Sequence, residues 1–321
     1  MSLRTTGILA AAALAAGACG GKSGDGPSGP STPTHNFTAF VFYDENGNGA
    51  ADPPEVVKIP NATVSIAGVT ARTDGTGRAA LTGVKAGQQT LTITPDSLPP
   101  YFTAASVPLT VPTVGDVAVP VQLPLGIAIV KNKYMAFGDS ISFGTYEEPL
   151  QALLRAHFGT AQVVDEGVSG TRSDAGARRV ADSLAYARPA YTLILYGTND
   201  WNEQSCKDDR FPCYTIESLR SMIREAKFIG SLPILGTIPP VNVGFNEQAP
   251  AEREEWVKRM NEEIKKLARA EGVVVADIHK AMSSAPSPRA LYIDYVHPNS
   301  QGISVIAQEF FKAITQRQPA S

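Results

Sequence analysis

The chain is poor in several things that would announce common functions. Lys and Arg number 28 against 31 Asp and Glu, a net charge of -3, so no basic footprint invites a nucleic acid. No apolar run reaches the roughly 18 residues that a bilayer-spanning helix needs. Only four histidines are present, and no His/Asp cluster with metal-ligand spacing appears in the C-terminal half, which disfavours metal-dependent chemistry there. What is present is length and apolar content: 321 residues, 43% of them hydrophobic, can bury one large core and a smaller one. Two folded domains are expected.

Residues 1–19 read as an address. Arg4 precedes an Ala/Leu-rich run from Gly7 to Ala16, followed by Gly17, Ala18 and Cys19. The segment resembles a bacterial lipoprotein signal, which implies cleavage before Cys19, a lipid on its sulfur, and an exported, membrane-anchored protein. The alternative is ordinary secretion with an incidental cysteine. Residues 20–36, dominated by Gly, Ser, Pro and Thr, cannot bury enough apolar surface to offset chain ordering and read as a flexible linker.

From residue 37 to 125, short Val-, Thr- and Ile-rich runs alternate with Gly, Pro and Asp, which predicts a small antiparallel β-sandwich. Its pattern resembles the β-sandwich modules that serve as spacers in bacterial surface proteins. One loop stands out. Asp44, Asn46, Asn48, Asp52 and Glu55 occupy positions 1, 3, 5, 9 and 12, with Gly49 at 6 and the Ala50 carbonyl at 7. This is a complete oxygen set for a calcium loop, without the flanking helices. A structural calcium ion is expected; the alternative is a polar Asn-Gly turn.

Beyond residue 124 the pattern changes to alternating β and α. Strands are predicted at 133–137, 162–165, 191–196, 233–238 and 273–278, all but the second as continuous apolar runs. Amphipathic helices separate them, one with Thr215 as its N-cap. The fold class is therefore α/β: a doubly wound, parallel, five-stranded sheet over residues 131–321, with a second, smaller β domain before it. In such sheets the site lies beyond the carboxyl ends of the strands.

Four blocks stand in order along the chain: Gly138-Asp139-Ser140, Val168-Ser169-Gly170, Gly197-Thr198-Asn199-Asp200 and Asp294-Tyr295-Val296-His297-Pro298. The first and third directly follow predicted strands, and the fourth leads into the final helix. A serine, a histidine and an aspartate three residues before it supply nucleophile, base and orienting acid. Asp139 reads as a residue that holds the turn by bonding to backbone. His279, preceded by Asp277, is a rival to His297 as the base. Cys206 and Cys213 lie seven residues apart after the third block. In an exported protein they are expected to form a disulfide beside the site; the alternative is two free thiols. Trp201, Phe211 and Tyr214 in the same region are candidates to line the pocket, and the loop 239–250 with Phe245 to form its rim.

The ordered set resembles the SGNH/GDSL family of serine esterases and lipases over residues 131–316, whose fold is flavodoxin-like. The resemblance implies Ser140 as nucleophile, with Asp294 and His297 completing the triad. It assigns Gly170, in preference to Gly167, and Asn199 as oxyanion donors beside the Ser140 backbone N–H, with no cofactor for catalysis. Its implied substrates are carboxylic esters, lipid-like or aryl. A carbohydrate acetylesterase is the alternative, and a catalytically inactive surface-binding lipoprotein is the alternative of another class.

Overall fold

The computed structural model describes residues 32–207 and 211–317. The expected signal segment, Cys19 and most of the linker lie outside the described residues. From Thr34 onward the described residues fall into one compact unit.

The first part of that unit holds eight strands: β1 (Thr34–Tyr43), β2 (Thr63–Ile66), β3 (Val69–Arg72), β4 (Arg78–Lys85), β5 (Gly87–Ile93), β6 (Thr103–Ala104), β7 (Val107–Val111) and β8 (Val117–Gln122). They form two four-stranded sheets, ordered β4-β1-β8-β6 and β3-β2-β5-β7. Strand β4 buries Ala79, Leu81 and Val84 and exposes the residues between them, as a sheet with one face on a core should. All pairings but one are antiparallel: β8 returns alongside β1 in parallel, Ala39 opposite Val117 and Tyr43 opposite Val121. Local alternation gives each strand's buried face and leaves its direction open, so this pairing was invisible in the sequence.

The second part runs β9 (Val130–Gly138), α1 (Glu147–Phe158), β10 (Gln162–Gly167), α2 (Ser173–Ala187), β11 (Pro189–Leu195), α3 (Gln204–Lys207), α4 (Thr215–Ile229), β12 (Leu232–Gly236), α5 (Ala251–Glu271), β13 (Val274–Ala276), α6 (Ile278–Ser283) and α7 (Ser300–Thr315). The sheet is parallel, in the order β10-β9-β11-β12-β13. Helices cover both faces. Leu150, Leu154, Phe310 and Ile314 of α1 and α7 pack with Tyr134, Ala136 and Leu193. Val180, Leu219, Ile223 and Met260 of α2, α4 and α5 pack with Met135, Phe137 and Ile194. Strand β10 is less apolar because it forms an edge, as the sequence of that strand anticipated. Thr215 proved to be the first residue of α4, not its N-cap, because its hydroxyl donates to Asp200 instead.

The order places strand β9 between β10 and β11, so the chain reverses its winding direction there. This is the crevice where a doubly wound sheet opens to a ligand. The opposite, amino end of the sheet is closed by the β-sandwich. The Tyr101 hydroxyl donates to Pro233 O (2.6 Å), Tyr134 and Tyr191 stack at 5.1 Å, and Phe102 lies 6.5 Å from Phe158.

Candidate active site

Strand β9 delivers Ser140 to the crevice through a turn that only glycine permits at its start. A Cβ on Gly138 would lie 2.2 Å from Ser142 Oγ and 2.5 Å from Leu195 O. Asp139 folds over this turn, its Oδ1 accepting the Ile141 N–H at 2.9 Å. The carboxyl is buried, and burial, aided by nearby Asp200, pushes its pKa up to about 7.

The loop before α7 delivers the imidazole. Asn299 caps α7, accepting the Gln301 and Gly302 N–H groups, and a backbone bond from Ile293 N to His297 O closes the loop (2.9 Å). His297 Nδ1 lies 2.7 Å from Asp294 Oδ2, and His297 Nε2 lies 2.9 Å from Ser140 Oγ. The carboxylate can only accept, so Nδ1 carries the proton and Nε2 accepts from the serine hydroxyl. Burial works to raise the Asp294 pKa. Bonds from the His297 N–H, the imidazole and the Val296 N–H outweigh it, so the group stays below the usual carboxylate range.

Strand β11 ends at the third block. Asn199 Nδ2 donates to Thr171 O at 3.0 Å and, more loosely, to Asp139 Oδ2 at 3.4 Å. Gly170, next to Thr171, is exposed in the left-handed region at φ +74, which favours glycine. The structure thus brings Ser140, His297, Asp294 and Asn199 together and sets the Gly170 turn beside Asn199.

Several interactions that shape the site had no signal in the sequence, because the partners are remote along the chain. Buried Asp200 accepts the Ser173 N–H (2.9 Å) and hydroxyl (2.6 Å) and the Thr215 hydroxyl (2.7 Å), pinning the starts of α2 and α4 to the third block. The Arg179 guanidinium donates to Gly138 O (3.0 Å), Glu166 O (2.6 Å) and the Tyr196 hydroxyl (2.7 Å), tying the first block to the second. Asn242 Nδ2 holds the Asp294 carbonyl at 3.2 Å.

The rival histidine is placed elsewhere. His279 Nε2 meets Glu254 Oε1 at 2.9 Å, while Asp277 caps α6 and pairs with Lys265 at 3.1 Å. Cys206 and Cys213 are joined by a disulfide with Cα atoms 5.0 Å apart. Trp201 and Phe211 pack against Trp256 of α5, with ring centroids 6.0 and 6.5 Å away, and both stay half-buried. A cleft of about 210 Å³ lies beside the Asp294 loop, lined by Pro240, Asn242, Glu254, Arg289 and Tyr292 among others, and reaches neither Ser140 nor His297.

In the β domain, Asp44 and Glu55 are buried and the loop closes on them. Asp44 accepts the Gly47, Asn48 and Gly49 N–H groups, Glu55 those of Glu45, Asn46 and Asp52. Asn46 and Asn48 both meet Asp52 Oδ2, at 2.8 and 2.7 Å. Despite burial, which opposes ionisation, the Gly49 N–H and its neighbours lower the Asp44 pKa. No Lys or Arg comes within 4.0 Å of Asp44, Asp52 or Glu55 among the described residues. Asn46 and Asn48 Oδ1 likewise accept the Asn48 and Ala50 N–H groups, so a hard divalent cation such as calcium would have to draw on oxygens that already hold N–H groups of the loop. Among the described residues there is no group of three or more His, Cys, Asp or Glu poised for a metal, so such a site would depend on the asparagine and Ala50 oxygens as well.

Residues 136–303 match the family described as GDSL-like lipase/acylhydrolase. Among solved structures, the chain is similar to a lipase/acylhydrolase from Enterococcus faecalis, at 22% identity over 59% of this chain and 100% of that one, TM-score 0.49. It is also similar to Axe2, an acetylxylan esterase from Geobacillus stearothermophilus, at 24% identity over 60% of this chain and 96% of that one, TM-score 0.49. No curated protein matches the chain.

Proposed function

The chain belongs to the GDSL-like lipase/acylhydrolase family, and from that premise we propose that it hydrolyses carboxylic esters through an acyl-enzyme on Ser140. The observation that carries the reading is the hydrogen-bonded relay from Ser140 Oγ to His297 Nε2 (2.9 Å) and from His297 Nδ1 to Asp294 (2.7 Å). Ser140 attacks the ester carbonyl as His297 takes its proton. Asp294, kept ionised, stabilises the imidazolium, which then protonates the leaving alcohol. The oxyanion is held by the Ser140 and Gly170 N–H groups and by Asn199. The amide hydrogen that reaches Asp139 over 3.4 Å is the weakly held one, and it is the one that turns to the oxyanion. Water activated by His297 releases the acid.

Substrates with an apolar acyl or alkyl chain suit the mouth of the site. Phe143, Val168 and Ile293 lie within four residues of Ser140, Gly170 and His297 and are 59%, 41% and 67% exposed. Large apolar side chains left in water so close along the chain to the catalytic groups favour an ester with an apolar chain over an acetyl group on a glycan. The test is hydrolysis of acetate, butyrate and octanoate p-nitrophenyl esters and of acetylated xylan by wild type and Ser140→Ala. Turnover that rises with chain length and vanishes in the variant supports the proposal. Wild type and variant equally inert while folded would sink it and favour the binding-protein reading.

Two further readings accompany this one. The Asp44–Glu55 loop takes a structural calcium ion, bound by the side chains of Asp44, Asn46, Asn48, Asp52 and Glu55 and the Ala50 carbonyl. Added calcium should raise the melting temperature and a chelator lower it, with no change in either case for Asp44→Asn. Export and anchoring rest on Cys19: radiolabelled fatty acid should enter the wild type and not Cys19→Ala.

A further inference from the structure

Arg253 stands in the first turn of α5 and is 3% exposed. Its Nη2 donates to Thr198 O at 3.0 Å and its Nη1 to Gln248 O at 3.1 Å. Its guanidinium carbon lies 5.1 Å from the centre of the Tyr295 ring. Thr198 directly precedes Asn199, and Tyr295 directly follows Asp294. One planar group therefore touches the loop that carries the amide and the loop that carries the imidazole with its acid.

The position is costly for a cation on three counts. Burial disfavours the charged form and lowers the Arg253 pKa. No carboxylate lies within 4.0 Å of the guanidinium among the described residues, and Tyr295 and the more distant Asp294 offset its desolvation only in part. The first turn of a helix is the positive end of its dipole, where acidic side chains are favoured. An apolar side chain of similar length would avoid that desolvation but leave the Thr198 and Gln248 carbonyls without a donor. A residue that breaks charge, burial and dipole rules together marks a place where the fold yields to function.

We propose that Arg253 is a positioning residue that sets the gap between the oxyanion donor Asn199 and the base His297. Lysine cannot replace it, since one ammonium has neither the flat face for Tyr295 nor the fork that spans two carbonyls. The reaction in which this matters is the serine esterase reading above, on which the proposal rests. Displacing a catalytic group by an ångström can cost about 100-fold in rate while leaving substrate binding intact.

The experiment compares full-length wild type, Arg253→Lys, Arg253→Met and Ser140→Ala on p-nitrophenyl butyrate, with melting temperatures alongside. The expected result is a kcat lower by roughly 100-fold in Arg253→Met and by roughly tenfold in Arg253→Lys. KM should stay within about twofold, since the displaced groups act after substrate is bound. Arg253→Met should melt lower than wild type, because the Thr198 and Gln248 carbonyls lose their donor, so rates are compared per folded molecule. An unchanged kcat per folded molecule in either variant overturns the proposal. If Arg253→Met does not fold, Arg253→Lys decides alone by the same two outcomes. If wild type is as inert as Ser140→Ala, the esterase reading falls. Arg253 is then judged by fluorophosphonate labelling of Ser140: slower in Arg253→Lys supports it, and an equal rate overturns it.

Discussion

The molecule holds two histidine–carboxylate pairs at nearly the same spacing, 2.7 Å for His297–Asp294 and 2.9 Å for His279–Glu254. They differ in which ring nitrogen the acid takes. Asp294 takes Nδ1 and leaves Nε2 to meet Ser140, whereas Glu254 takes Nε2 of His279, the nitrogen that would have to face a nucleophile. They differ in access as well: side-chain exposure is 36% and 32% in the first pair but 16% and 12% in the second. Glu254 uses its other oxygen to hold the Val241 N–H at 2.7 Å, next to the Asn242 that grips the Asp294 loop. The same two functional groups make a base in one place and a loop anchor in the other, and orientation decides between them.

The largest expected effect tests this contrast directly. Ser140→Ala and His297→Ala should each lower kcat by about 10⁴- to 10⁶-fold, because members of a triad act as a unit. His279→Ala should leave kcat within about threefold, since its imidazole faces no reacting atom. Silencing by His279→Ala with survival of His297→Ala would break the comparison. Next in size, Asn199→Ala should cost about 10²- to 10³-fold in kcat, as loss of one oxyanion donor does, with KM little changed. Steady-state kinetics on a single p-nitrophenyl ester reads all four. Smaller still, Glu254→Gln should reduce unfolding free energy by about 1–3 kcal/mol, measured by urea denaturation, because the buried Val241 N–H and the half-buried His279 imidazole lose a charged acceptor. Activity per folded molecule should survive that change far better than the loss of Asp294.

The smallest effect concerns pH and the carboxylates near Ser140. Asp139 and Glu147 both have pKa values raised by burial to about 7. Between their ordinary values and 7 the unfolded chain is ionised while the folded one holds the protons, so folding stability falls as pH rises from about 4 to 7 and levels above that. Asp294 has the opposite sign: its pKa is lowered, and its contribution is lost only as pH falls through the acidic range. Melting temperature should therefore be higher at pH 5 than at pH 8, and Asp139→Asn should narrow that gap by raising the value at pH 8. An unchanged gap would mean that Asp139 does not hold a proton at pH 5.

Much of the fold was legible because its signals are local. Continuous apolar runs located four of the five strands of the parallel sheet to within a few residues, and the shorter, more polar run at 162–165 located the edge strand β10. The last was expected to run to Ile278 but stops at Ala276, because Asp277 turns to cap α6. Ser140 and the Asp294–His297 spacing were legible for the same reason, each being a short motif at a strand end or helix start. What could not be read depends on contacts between distant residues: the parallel return of β8 beside β1, the clamp of Asp200 on α2 and α4, and the arginines Arg179 and Arg253. Trp201 and Phe211 are half-buried, and the ring that each packs against, Trp256, lies far along the chain and gave no local signal.

The aromatic joint at the amino end of the sheet has a consequence for how such a protein can be divided. Tyr134, Tyr191 and Phe158 belong to the α/β half but are covered by Tyr43, Tyr101 and Phe102 from the β half. Cutting the chain near residue 125 would strip the cover from rings that are at most 3% exposed and leave an adhesive base on the catalytic half. What the composition suggests is a detachable spacer behaves as the floor of the enzyme, and a recombination event that exchanged it would have to supply a matching set of rings.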